Sequence, residues 1–323
     1  MFVYSLEEIK KVIQLDGNLM QQIEKAFLSL YEKQVQMPPI MRIDIPDQRG
    51  EVDIKSAYIE GEDSFAVKLS SGFFNNPSKG LPSSGGLMIL MDATNGQPKA
   101  VLADDGHLTD LRTAAAGAVA AKWCSRKNSR IAGVIGTGAQ ARLQLEALTH
   151  VRSIEHVYVW GRNDQKSEAY KHDVERMLQI PVTVADSVQK VVETSDIVVT
   201  TTPSTTPLVF GEWLKKGTHI TAMGSDAEHK QELDESVLLQ ADILICDKKD
   251  QSLRLGELRS CLDERVRDRA IELGSVVSGQ YAGRVDDHQI TVCDLTGTGV
   301  QDTAIARHVY QLLNSRIHSE NGY

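Results

Sequence analysis

Hydrophobic positions change their period twice along this 323-residue chain. In "EEIKKVIQL" and "LMQQIEKAFLSLYEKQ" apolar residues recur at helical spacing, with a turn at Asp16-Gly17-Asn18 between them and Ser5 and Glu8 set as a capping box ahead of the first. Two opening helices are expected. After Pro38-Pro39 the texture becomes short, partly alternating and rich in β-formers: "IMRIDI", "VDIKSAYI", "SFAVKLSSG" and "GLMILMDATNGQPKAVLA", the last with a hairpin signal at Asn95-Gly96. A mostly antiparallel sheet follows from that pattern.

From Thr109, "TDLRTAAAGAVAAKWC" reads as an Ala-rich helix leading into a second regime. There the apolar runs "RIAGVIG", "EHVYVWG", "PVTVAD", "DIVVTTT", "HITAMG" and "ADILICD" alternate with helical patterns, the βαβ rhythm of a doubly wound parallel sheet. "LTGTGVQDTAIARHVYQLLNS" closes the chain with a Gly-containing turn and an amphipathic helix. The expected fold class is α/β. A Rossmann-like doubly wound parallel sheet occupies 119–299, and an α/β domain is built from 1–118 with 300–323.

Length alone favours two domains, and 41% apolar with 24% charged residues excludes a disordered chain. A net charge of -9 without long like-charge blocks argues against nucleic acid or an anionic membrane as partner. The first residues lack a basic start followed by an apolar run, and no stretch reaches the roughly 18 apolar residues of a membrane span, so a cytoplasmic protein is expected. Cys124, Cys246, Cys261 and Cys293 show no CxxC pairing, which suits buried thiols better than zinc or disulfides; no metal is expected.

"VIGTGAQARLQ" supplies Gly136, Gly138 and Ala141 in the GxGxxA spacing of a dinucleotide loop, after a strand pattern and ahead of a helix pattern. The other reading is a bare glycine turn. Where the second strand ends, an Asp or Glu would bind the adenosine ribose; this chain has Gly161-Arg162-Asn163. A guanidinium there suits a 2′-phosphate, so NADP(H) is expected ahead of NAD(H), the alternative being a solvated Arg162 beside a site that takes both.

Chemistry on a small anionic substrate needs cations for its carboxylate and a proton carrier near the reacting carbon. Arg42, Lys68 and Arg112 each interrupt apolar surroundings and are the candidates for the clamp; taken singly, any of them could be a snorkelling surface cation. Asp226 follows a strand pattern ending at Gly224, on the edge where doubly wound sheets bind ligands, and is the acid/base candidate. Its bland alternative is a helix cap. Lys230, four residues on, could reach cofactor or substrate, or face solvent. No HExxH or GxSxG pattern occurs, which leaves zinc hydrolysis and acyl transfer without support.

Together "LTDLRTAAAGA", "VIGTGAQARLQ", "AMGSDAEHKQEL" and "TVCDLTGTGVQD" resemble the ornithine cyclodeaminase/μ-crystallin family over almost the whole chain, and "VDIKSAYIEGEDSFAVKLSSGFFNNPSKGLPSSGGLM" is most similar to its ectoine-utilisation dehydrogenase branch. The resemblance implies an N-terminal α/β domain, completed by the C-terminal helix, that binds substrate and dimerises, beside a Rossmann domain for NAD(P). It places Arg42, Lys68 and Arg112 on the substrate carboxylate, with Lys68 also catalytic. Ser84, Arg112, Thr113, Gly136, Gly138, Ala139, Gln140, Arg162, Gly224 and Lys230 fall to the cofactor, and Asp226 to catalysis. The segment from Glu51 to Lys55 does not match the acidic site that holds ornithine's amine in the cyclodeaminases. Net redox chemistry on a small amino or imino acid, by a homodimer, is therefore expected; redox-neutral cyclodeamination of ornithine or lysine and a μ-crystallin-like binding protein are the alternatives.

Overall fold

The computed structural model describes residues 1–320, so 321–323 of the predicted first domain lie outside it. The chain forms two compact units, Met1–Arg112 with Thr298–Tyr323, and Thr113–Gly297. The division falls inside the helix His107–Cys124, earlier than the sequence boundary after residue 118. Gln144 of the helix Ala139–Thr149 explains this: it donates to the Thr113 carbonyl at 2.9 Å and packs where a Cβ on Gly117 would sit, tying the later turns to the second unit.

In the first unit the strands run in the order Phe2–Ser5, Pro98–Ala103, Ser84–Asp92, Ser64–Phe73, Gly50–Ile59 and Val35–Gln36, with Met41–Ile45 also pairing Gly50–Ile59. All pairs are antiparallel except the first, which is parallel. Phe2–Ser5 is absent from the sequence reading because its apolar residues run directly into the helical pattern. Ser5 ends that strand and caps the helix Leu6–Lys10, completing the expected capping box with Glu8. One sheet face carries Ala57, Ala66, Met88, Leu90 and Leu102, all buried. The helices Gly17–Glu32 and Gly299–Glu320 pack on that side, the latter against Gly50–Ile59 and Ser64–Phe73. Lys55 and Lys68 face each other across neighbouring strands on the same buried face.

The second unit is an all-parallel sheet in the order Val182–Val184, His156–Trp160, Ile131–Ile135, Ile197–Thr200, His219–Ala222, Thr291–Asp294, Ile243–Cys246, Ile271–Glu272. Strand order reverses between Ile131–Ile135 and Ile197–Thr200, which opens the crevice where such sheets bind ligands. The central strand Thr291–Asp294 has only four residues and follows the polar "DDHQ", too short to register as a period. All four cysteines are buried and unpaired. No helix among the described residues is long and apolar enough to cross a membrane.

Candidate active site

The crevice is built by glycines at the ends of two strands. Gly136 has φ +120°, and a Cβ there would lie 2.5 Å from Thr201 Oγ1, so the turn requires glycine. Gly138 caps the helix Ala139–Thr149 without a side-chain acceptor, and a Cβ on it would meet nothing within 4 Å. Gly138 and Ala139 are exposed, so the N-terminus of that helix faces open space in the way that suits a pyrophosphate. Arg142 braces the turn from behind, donating to the carbonyl oxygens of Thr137 at 2.7 Å and Gly138 at 3.1 Å.

The resulting cleft holds about 460 Å³, and its wall includes Gly136, Gly138, Arg162, Lys166, Thr201 and Thr202. Among the described residues no carboxylate lines it. Asn163 caps the helix Asp164–Leu178 through the Lys166 amide at 2.9 Å, and this turn carries Arg162 and Lys166 onto the same rim. A dinucleotide fits these residues: a glycine turn, an exposed helix N-terminus, and the cations Arg162 and Lys166 on one rim. Lys166 was not singled out from the sequence, since one lysine in a charged helix carries no pattern.

Past the strand His219–Ala222, the chain turns at Gly224 so tightly that a Cβ would lie 2.2 Å from the Thr202 carbonyl oxygen. Asp226 follows on this turn and pairs with Lys230 Nζ at 2.7 Å. Lys230 is buried, whereas the Asp226 side chain keeps 38% exposure. Asp226 therefore pairs an open carboxylate with a buried ammonium.

Lys68 and Arg112 come together in the first unit, and the residue that joins them is Asp302. Lys68 Nζ lies 3.0 Å and Arg112 Nε 2.9 Å from the same Asp302 oxygen, Oδ1, and Arg112 Nη1 donates to Gln301 Oε1 at 2.9 Å. All four side chains are buried. Burial, then the nearby Arg112, lowers the Lys68 pKa to about 7, against the opposing pull of Asp302. Burial alone would raise Asp302, yet Lys68, Arg112 and Lys55 hold its carboxyl below the usual range. Asp104, buried beneath the helix His107–Cys124 and accepting from the Leu108 amide at 2.8 Å, is pushed up to about 6 by its burial. Asp302 Oδ2, Gln301 Nε2 and Asp104 Oδ1 are buried without a hydrogen-bond partner among the described residues. A cluster with more cations than carboxylates and unspent polar atoms suits a small anion with further hydrogen-bonding groups.

Arg42 stands apart from this group. Register places it beside Asp53, on the same sheet face as Lys55 and Lys68, but its guanidinium is taken by Asp44 at 2.9 Å, by Glu51, and by Asp53 at 3.5 Å. Ser84 opens its strand exposed and is not part of the cleft wall; Thr113 contributes its carbonyl to Gln144. Asp302, Gln301, Lys55 and Asp104 were missed as site residues. The polar pair in "TGVQDTA", at the start of an otherwise apolar-faced helix, is the signal that could have found the first two.

Fold and cleft together define a Rossmann-type α/β protein with a second, sheet-based unit. The profile of the ornithine cyclodeaminase/mu-crystallin family matches residues 1–316, and the chain belongs to that family. It is 46% identical over 313 residues to an uncharacterized cyclodeaminase of Sinorhizobium fredii (strain NBRC 101917 / NGR234), spanning 96% of this chain and 95% of the relative. Among solved structures, Thermococcus litoralis Δ1-pyrroline-2-carboxylate reductase in complex with NADH and L-proline aligns with a TM-score of 0.92 and 30% identity, covering 98% of each chain. An archaeal alanine dehydrogenase dimer with bound NAD aligns at 0.89 and 35%, covering 98% of this chain and 97% of that one.

Proposed function

We propose that this protein is an NAD(P)-dependent oxidoreductase acting at the α-carbon of a small amino or imino acid. The observation that carries the reading is the buried Lys68–Asp302–Arg112 group, with Lys55 beside it, in a chain that also has a glycine-cradled cleft. In the reductive direction the C=N bond takes up one hydride on carbon and one proton on nitrogen to give the amine; the bound nicotinamide supplies the hydride. Arg112 and Lys68 hold the substrate carboxylate and so orient the carbon, which is where such sites gain much of their rate. Lys68, with a pKa near 7, can exchange a proton at physiological pH. Asp226, hydrogen-bonded to Lys230, serves the proton on the substrate nitrogen. The names of the Thermococcus and archaeal relatives, one a reductase of a cyclic imine and one an amino-acid dehydrogenase, agree with this chemistry.

NADP(H) is the favoured cofactor in this proposal. Both structural relatives carry NAD or NADH, so the preference rests on Arg162 and Lys166 in a wall without carboxylates. The working form is a homodimer, and the support is the outer sheet face of the first unit. An antiparallel sheet usually turns polar residues to water. Here Ile54, Val67, Leu69, Leu87, Ile89 and Val101 form a continuous, partly exposed apolar surface, flanked by Met41 at 58% and Ile43 at 52% exposure. A second copy covering that face is the simplest closed arrangement.

The test is Asp226→Asn in full-length protein, measured with NADPH and a cyclic imino acid carboxylate. Turnover should fall by on the order of 10²-fold or more, while NADPH binding followed by nicotinamide fluorescence stays near normal. Retained turnover would remove Asp226 from the chemistry.

A further inference from the structure

The turn that carries Asp226 and the turn that borders the cleft meet at one fully buried side chain, Glu232. Its Oε2 accepts from the Thr200 hydroxyl at 2.6 Å and the Gly224 amide at 2.8 Å, and its Oε1 accepts from the Thr202 amide at 2.5 Å. The backbone at Glu232 is itself pinned. Its amide and that of Leu233 donate to the buried Glu257 carboxylate at 2.8 and 3.2 Å, and its carbonyl accepts from the amides of Leu208 and Val209 at 2.7 and 3.1 Å.

Neither side of this junction has slack. A Cβ on Gly224 would meet the Thr202 carbonyl oxygen at 2.2 Å and Glu232 Oε2 at 2.5 Å, while a Cβ on Gly136 would meet Thr201 Oγ1 at 2.5 Å. Close contacts thus run without a break from the cofactor turn at Gly136, through Thr200–Thr202, to Glu232 and on to Gly224, two residues ahead of Asp226. A buried carboxylate carries a desolvation cost that a neutral acceptor would avoid, and only several converging donors offset it. Here those donors come from two different turns.

We propose that Glu232 is a positioning residue that fixes the Asp226 turn against the cofactor cleft, so that cofactor occupancy and the placement of the Asp226 carboxylate are coupled through Thr200–Thr202. The catalytic part of its test rests on the role of Asp226 given above; the structural part does not. Glu232→Gln keeps the shape but sets an NH2 group against one of the donors. Hydrogen exchange at the Thr202 and Gly224 amides should accelerate together. Turnover should fall by about 10²-fold, as expected when a reacting group is misplaced by about an ångström. KM for the imino acid should change far less than kcat. In an Asp226→Asn background, adding Glu232→Gln should cost less than about twofold further, because a group that acts through Asp226 has nothing left to position. Should Glu232→Gln not fold, Thr200→Val removes one donor and should give the same pattern in weaker form. Unchanged exchange at Gly224, or losses that multiply in the double variant, would overturn the proposal. If Asp226→Asn alone leaves turnover intact, the functional reading falls, and exchange at Gly224 in Glu232→Gln still decides whether the brace exists.

Discussion

Lys68 Nζ sits 3.0 Å from Asp302 Oδ1 with both side chains almost wholly withdrawn from water. Burial, Arg112 and Lys55 all depress the basicity of Lys68, and Asp302 opposes them. If the protonated amine is the working form, kcat/KM is full below about 7 and falls as pH rises through that value. Asp302→Asn removes the opposing charge, so the fall should move to lower pH by about one unit or more. Asp104, the other carboxyl that senses Lys68, stays in place in this variant. A profile of kcat/KM against pH for both proteins checks this, and an unmoved limb would detach Lys68 from the rate.

Cofactor choice can be read at the rim of the cleft. Arg162→Ala with Lys166→Ala should weaken NADPH binding by roughly 10- to 100-fold, since a hydrogen bond to a charged group is worth about 1.5–3 kcal/mol. NADH binding should barely change, having no 2′-phosphate to lose. Equal losses for the two cofactors would mean that the cations do not read the phosphate.

The apolar sheet face gives a prediction about assembly. Val67→Asp or Leu69→Asp places a charge in its middle without touching the buried face that carries Ala66 and Lys68. Sedimentation velocity should show a dimer for the unaltered protein and a monomer for either variant. A monomer in both cases would leave that face without a second copy.

The two folding regimes were legible because each repeats its period over many residues: alternation through "FAVKLS", and apolar runs between helices from Ile131 onward. The glycine turn was legible for a related reason, since Gly136 answers a backbone demand that few other residues meet and Gly138 leaves the space before the helix open. What the pattern concealed were partnerships across long separations. Asp302 joins Lys68 from 234 positions away and Glu232 reaches Thr200 across 32, and no local period records either. Arg42 shows the reverse limit. It is an odd cation in an apolar strand, and the alternation does not disclose that Asp44, Glu51 and Asp53, all within its own hairpin, pair with its guanidinium. Phe2–Ser5 and Thr291–Asp294 were hidden by their length, four residues each.

Stoichiometry separates net hydride transfer from its rivals. Purified protein is given NADPH with Δ1-pyrroline-2-carboxylate, and separately ornithine or lysine with NADP+, while nicotinamide absorbance and ammonia are followed together. One NADPH should be oxidised for each cyclic amino acid formed, and no ammonia should be released from the diamino acids at constant nicotinamide absorbance. Ammonia release with no net change in the cofactor would make the protein a cyclodeaminase, and tight NADPH binding without turnover of any imino acid would make it a binding protein; either result would rule out net hydride transfer.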